Sequence, residues 1–263
     1  MPTYQQATQA ADARNITMER AIAEGKLAGY YIINKHGRNP DVDGAEDIWT
    51  AGGTYTGFPL TGADTFTLVS DSAEDAAGGT GARTTRVFYL DANFNMFDDN
   101  GQPLYFDITM AGLTPVVTTV TGTRVYRVRA LTTGSANTSV GNITVKATTI
   151  PTDVFAVMPP GGASQLTNFT IPLGYMGYLL RYSATMLDNT ANECRVAIRQ
   201  SDSLGTILIR REVGVSTDTF PPAVEPFGGI EFPALTDLCF RVTSVTNANA
   251  DVSVEYDLLL VKT

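Results

Sequence analysis

"DVSVEYDLLLV", residues 251 to 261, puts Val252, Val254, Tyr256, Leu258 and Leu260 on one side of an extended chain and Ser253, Glu255 and Asp257 on the other. A period of two with one apolar side is the pattern of a strand that buries one face of a sheet. Upstream of it, "QLTNFTIPLG" (165–174), "YMGYLLRYSATML" (175–187), "ECRVAIRQ" (193–200), "TILIRREVG" (206–214), "GGIEFP" (228–233) and "LCFRVTSVT" (238–246) repeat the theme between turns. Short strands at this spacing within residues 151–263 suffice for a sandwich of two antiparallel sheets. "RQSDSLGTI" reads as a hairpin turn joining two strands that carry Arg195, Arg199, Arg210 and Arg211.

The first half has the same rhythm. "AGYYIINK" (28–35), "DTFTLVS" (64–70), "TTRVFYLDA" (84–92), "PLYFDITM" (103–110), "TPVVTTV" (114–120), "TRVYRVRAL" (123–131) and "GNITVKA" (141–147) are separated by Gly- and Asn-rich turns. Two prolines and two glycines at 159 to 162 interrupt any regular element and suggest a boundary. Residues 5 to 27 read as a helix stopped near Gly25, with a thin apolar face of Ala11, Met18 and Ile22. The expectation is a mainly β chain: a helical arm over 1–28, then two antiparallel β-sandwich or jelly-roll-like modules over 29–150 and 151–263.

Charge narrows the partners. The 263 residues carry a net charge of −9, with 17% charged and 43% hydrophobic residues. Eleven acidic residues between Asp41 and Asn100 face only Arg83 and Arg86, so the acidity is local. Neither nucleic acid nor an anionic membrane suits such a chain. No apolar run reaches the about 20 residues of a membrane span, and "MPTYQQATQAADARN" lacks the basic start and apolar core of a secretory signal. A soluble protein made in a cytoplasm is expected.

No motif for catalysis is complete. His36 is the single histidine, in "INKHGRNPDVDGAEDIW" (33–49), without a nucleophile elbow or a second histidine for a metal. It reads as a loop residue among Gly37, Asn39 and Pro40. "DANFNMFDDNGQ" (91–102) begins like a calcium loop but has Met96 where glycine and Gln102 where glutamate belong, and reads as a turn at Asn100-Gly101. "GGTGAR" (78–83) lacks the lysine and following helix of a phosphate loop. The acidic pairs at 46–47 and 74–75 sit in polar loops. Cys194 and Cys239 read as two small buried thiols, with a disulfide between neighbouring strands as the other reading. The expectation is no enzyme, no cofactor and no metal.

In order along the chain, "INKHGRNPDVDGAEDIWTAGGTYTGFP" (33–59), "SDSAEDAAGGTGARTTRVFYLDANFN" (70–95), "TPVVTT" and "GNIT" resemble a module of structural proteins of tailed bacteriophages. "FTIPLGYMGYLLRYSATM", "VAIRQ" and "FPALTDLCFRVTSVTNANADVSVEYDLLLV" resemble the β module that often follows it. The turn "SDSLGTI" is shorter than the arms expected of relatives. The resemblance implies a virion protein that assembles with a major capsid protein or other virion proteins. An accessory decoration or cement subunit is the specific expectation. A tail, neck or fibre-base component that binds host glycans is the alternative, and a carbohydrate-active enzyme a more distant one. Trp49, Tyr55 and Phe58 are the candidate contact patch, with Met18 and Ile22 on the arm. Modest modules with strand faces rich in Thr, Ser and Asn suggest further burial in a homotrimer.

Overall fold

The computed structural model describes residues 17–59, 62–187, 192–202, 204–217 and 229–263. In chain order the described elements are helix α1 (Met18–Ala23), then β1 (Tyr30–Val42), β2 (Asp64–Ser70), β3 (Ala82–Leu90), β4 (Tyr105–Thr109), β5 (Val116–Gly122), β6 (Arg124–Thr133), β7 (Ile143–Ala147) and β8 (Val154–Met158). There follow β9 (Phe169–Thr170), β10 (Tyr175–Met186), β11 (Glu193–Ser201), β12 (Ile207–Ser216), β13 (Ile230–Phe232), β14 (Asp237–Val245) and β15 (Ala250–Lys262). The chain is mainly β, as its alternation indicates.

Four sheets form two layered pairs. Sheets β5-β2-β7-β8 and β4-β3-β6 enclose one core, in which Phe66, Leu68, Ile143 and Val145 meet Val87, Phe106, Val125 and Val128. The Phe66 and Phe106 rings stack at 5.5 Å. Sheets β1-β15-β10-β13 and β12-β11-β14-β9 enclose the second core. There Val252, Val254, Tyr256, Leu258 and Leu260 of β15 face Ile198, Phe240 and Val242. Each fully buried side chain of this size contributes about 1.5–3 kcal/mol, so the alternation of β15 is what sets the second sandwich.

The sheets do not divide at 28/29 and 150/151. β1 pairs antiparallel with β15 from Tyr30↔Val261 to Asn39↔Val252, and so is the edge strand of the second sandwich. β8 pairs with β7 and closes the first. The first sandwich, β2 to β8, is therefore inserted between β1 and the rest of the second. The strand expected at 28–35 runs on to Val42, past Pro40, whose missing N–H an edge strand tolerates, and the register shifts between Asn39 and Val42. Gly37 is required by close approach: a Cβ there would lie 2.6 Å from the Thr167 nitrogen and 2.8 Å from the Ile48 carbonyl oxygen. His36 is thus an exposed strand residue opposite Glu255, not a loop residue.

α1 is capped by Thr17, whose hydroxyl accepts from the Arg20 amide at 3.3 Å, and the helix gives way at Gly25 (φ 68°). The expected helix over 5–27 is described only as these six residues; residues 1–16, with Ala11, lie outside the described ones. Met18 and Ile22 are buried against Tyr30 and Leu259 on the outer face of the β1–β15 pair. They pack α1 onto this chain's own sheet.

Candidate functional site

The proposed contact patch is a core. Trp49 and Tyr55 are 4% and 7% exposed, and their rings meet edge-on at 5.0 Å. Tyr55 and the half-buried Phe58 meet at 4.8 Å. The Tyr55 hydroxyl donates to the Phe155 carbonyl at 2.7 Å, and burial pushes its pKa far above the usual value. The loop after β1 thereby threads three aromatics into the first sandwich. Sequence could place these residues together but not say which body they enter.

Two buried charge clusters pin the same loop and the inserted sandwich to the second one. Asp47 accepts from the Tyr55 amide at 2.8 Å, from Arg199 at 3.2 Å and from Arg241 at 3.1 Å. The Cys239 thiol lies 3.9 Å from it, and burial pushes that thiol's pKa well up, with Asp47 adding to the effect. Arg124 of β6 donates to both carboxylate oxygens of Asp237 on β14, to the Thr170 hydroxyl and to the Pro59 and Thr123 carbonyls, all between 2.9 and 3.2 Å. These are structural locks: every carboxylate oxygen is occupied by this chain.

The other acidic loops are likewise built from their own side chains. Asp91 accepts from the amides of Asn93 and Asn95, each at 2.8 Å. Asp98 accepts from those of Asn100 and Gln102 at 2.9 and 2.8 Å. Around 78–83, Asp75 is fully buried. Burial raises its pKa, but hydrogen bonds from Val140, Ser70, Gly141 and Ala82 outweigh that and hold the carboxyl below its usual value. In the opening loop, Asn39 accepts from the Asp41 amide at 3.1 Å, as its residue type suggests. Cys194 and Cys239 are both buried, and no disulfide joins them.

What the surface offers instead is β12. Ile207, Leu208 and Ile209 are 52%, 52% and 62% exposed, and Arg210, Arg211 and Glu212 are exposed beside them. Consecutive residues of a strand point to opposite faces, so both faces of β12 are exposed over residues 207–212, while Val213 and Val215 at its far end pack into the second core. β12 ends its sheet, with β11 on one side and no described strand on the other. An apolar edge strand of this kind invites another chain. "TILIRR" carried the signal: three consecutive aliphatic residues without alternation are buried on both faces or exposed on both.

A second feature lies at the seam between the sandwiches. A cavity of about 610 Å³ lies beside residues 34–36 of β1, walled by β6, residues 161 and 163–166, β10 and β15. Lys35 lines it and is 6% exposed. Its ammonium nitrogen donates to the Tyr126 carbonyl at 2.5 Å. Burial, and then the charge of Arg127, hold its pKa well below the usual lysine value. The unfolded chain keeps that proton up to about pH 10.4, whereas the folded chain does not, so this group's contribution to stability rises with pH over that window. Lys35→Met is accordingly expected to melt higher than the parent at pH 7, with the gap closing as pH approaches 10. An equal gap at both pH values in calorimetric melting would contradict this.

No family model and no curated protein matches the chain. Among solved structures, it is similar at a TM-score of 0.22 and 8% identity to the VP2 subviral particle of infectious bursal disease virus, over 92% of this chain and 77% of that one. The Gx strain of the same virus gives 0.19 and 8%, over 89% and 71%. Superpositions this loose establish neither a shared fold nor a shared role.

Proposed function

We propose that the chain is a virion structural protein of the tailed-bacteriophage type, an accessory capsid subunit that decorates and cements an assembled shell. The observation that carries this reading is β12, an edge strand with aliphatic side chains exposed on both faces. The ordered sequence resemblance adds to it. So does the chemistry of the charged residues: among the described residues, Asp47, Asp75, Asp91, Asp98 and Asp237 are engaged in hydrogen bonds that hold this chain together. β12 joins the shell subunit by strand addition and apolar contact, and three copies meet around a threefold position of the lattice.

Ile207→Ser combined with Ile209→Ser tests it. Both side chains are exposed, so monomer stability should change by no more than about 0.5 kcal/mol, while binding to shells stripped of the protein should fall at least tenfold. Unchanged shell binding would remove β12 from the reading. Copy number separates shell from tail: hundreds per particle support decoration, whereas a dozen or fewer would place the chain in the tail, neck or fibre base. Light scattering at low and high salt reports the trimer.

A further inference from the structure

Lys35 is a buried amine without a buried acid. Among the described residues no carboxylate lies within ion-pair range of it, and its hydrogen bond goes to a neutral carbonyl. An ammonium can donate three hydrogen bonds. Burying such a group without a partner is costly, and methionine or leucine would fill the space without that penalty. The surroundings are prepared for an anion. Arg127 and Arg129 come from β6 and Arg181 from β10, against Glu255 and Asp257 from β15 and His36 from β1 itself. Asp257 is already engaged by Arg181 and Asn34, and Arg127 donates to the Asn34 carbonyl at 2.8 Å, which keeps its charge beside β1. Tyr126, Tyr182 and Tyr256 complete the titratable groups of the cavity wall. The Tyr256 hydroxyl donates to the Thr167 carbonyl at 2.6 Å. Those of Tyr126 and Tyr182 are buried without a partner among the described residues.

We infer that the seam cavity is a binding site for a small organic carboxylate, of monosaccharide size or less, whose acid group pairs with Lys35 while Arg127 and Arg129 attract it at the mouth. The volume falls in the range of about 300–1,000 Å³ common to ligand pockets. The tyrosine rings offer flat apolar walls for a ring or chain, and Ser164 and Gln165 offer polar atoms at the rim. Because burial holds the Lys35 ammonium below its usual range in the empty site, pairing with a carboxylate raises its hold on the proton, and binding is accompanied by proton uptake where the empty site has lost it. The site does not depend on where the chain sits in a particle.

Calorimetric titration of the full chain tests it with four probes: N-acetylneuraminate, glucuronate, acetate and, as the neutral control, N-acetylglucosamine. Each is run in two buffers of different protonation enthalpy, from pH 7 to pH 9. At least one carboxylate should bind with a proton uptake that rises toward one per ligand as pH increases, and the neutral sugar should not. Acetate binding alone would define a simple carboxylate site; an acidic sugar binding more tightly than acetate would define an acidic-glycan site. Lys35→Met, checked for folding by its melting, should weaken binding at least tenfold, and Arg127→Gln severalfold. The inference is overturned if no carboxylate binds or if binding proceeds without proton uptake. It is also overturned if the folded Lys35→Met chain binds as the parent does, or if the neutral sugar binds equally well.

Discussion

Arg124→Met is expected to lower the unfolding free energy by about 3–5 kcal/mol, the usual cost of removing one partner from a buried ion pair. Arg124 and Asp237 have side chains 7% and 5% exposed. Without the guanidinium, Asp237 keeps only the Thr170 hydroxyl among the donors that reach it, and the Pro59 carbonyl loses a donor. The pair joins β6 of the inserted sandwich to β14 of the other, so its loss also loosens the seam. The double variant Arg124→Met with Asp237→Leu removes both charges and should recover most of the loss, because apolar replacement of a whole buried pair is often neutral. Urea unfolding of the parent, the single variants and the double variant forms a complete cycle. If the single and double variants lose the same amount, the cost lies in packing and the ion-pair account fails.

Asp47→Ala is expected to be of similar size, about 3–5 kcal/mol. One carboxylate here serves two arginines and a buried backbone amide, so its removal leaves two like charges facing each other and an amide without an acceptor. Asp47→Asn should cost less, since an amide oxygen can still accept from Tyr55. A loss below about 1 kcal/mol for Asp47→Ala, with an unchanged denaturant slope, would show that water replaces the carboxylate freely. Cys239 offers a local probe: its thiol lies beside Asp47, and its reaction with a thiol reagent should quicken in Asp47→Ala as the cluster opens.

The strands were largely legible because their signal is local. β15 alternates residue by residue, and its buried side is the one its sequence marks. β7 follows the same logic, with Ile143, Val145 and Ala147 buried. The assignment of β1 was not legible, because its partner lies more than two hundred residues away and nothing in "INKHGRNPDV" says which sheet completes it. Trp49, Tyr55 and Phe58 were recognisable as a cluster but not as a core, since a Gly-rich loop looks alike whether its aromatics point in or out. Lys35 gave no warning at all. A lysine at an inward position of an edge strand is indistinguishable in sequence from one at the solvent face, and only the approach of β6 across the seam shows that it is enclosed.

The insertion of one sandwich into another sets the order in which the chain can be made. β1 leaves the ribosome early, but the strand it pairs with follows by more than two hundred residues, roughly 10–45 s at about 5–20 residues per second. During that interval β2 to β8 can form their own sandwich, while Tyr31, Ile32 and Ile33 wait without a sheet. The nascent chain therefore passes through a state in which one half is finished and the other holds an unpaired, partly apolar strand. Chaperone capture, or premature pairing between chains on one polysome, has its window there. Slowing translation beyond residue 158 should lengthen that window and lower the yield of soluble protein, whereas slowing it before residue 30 should not.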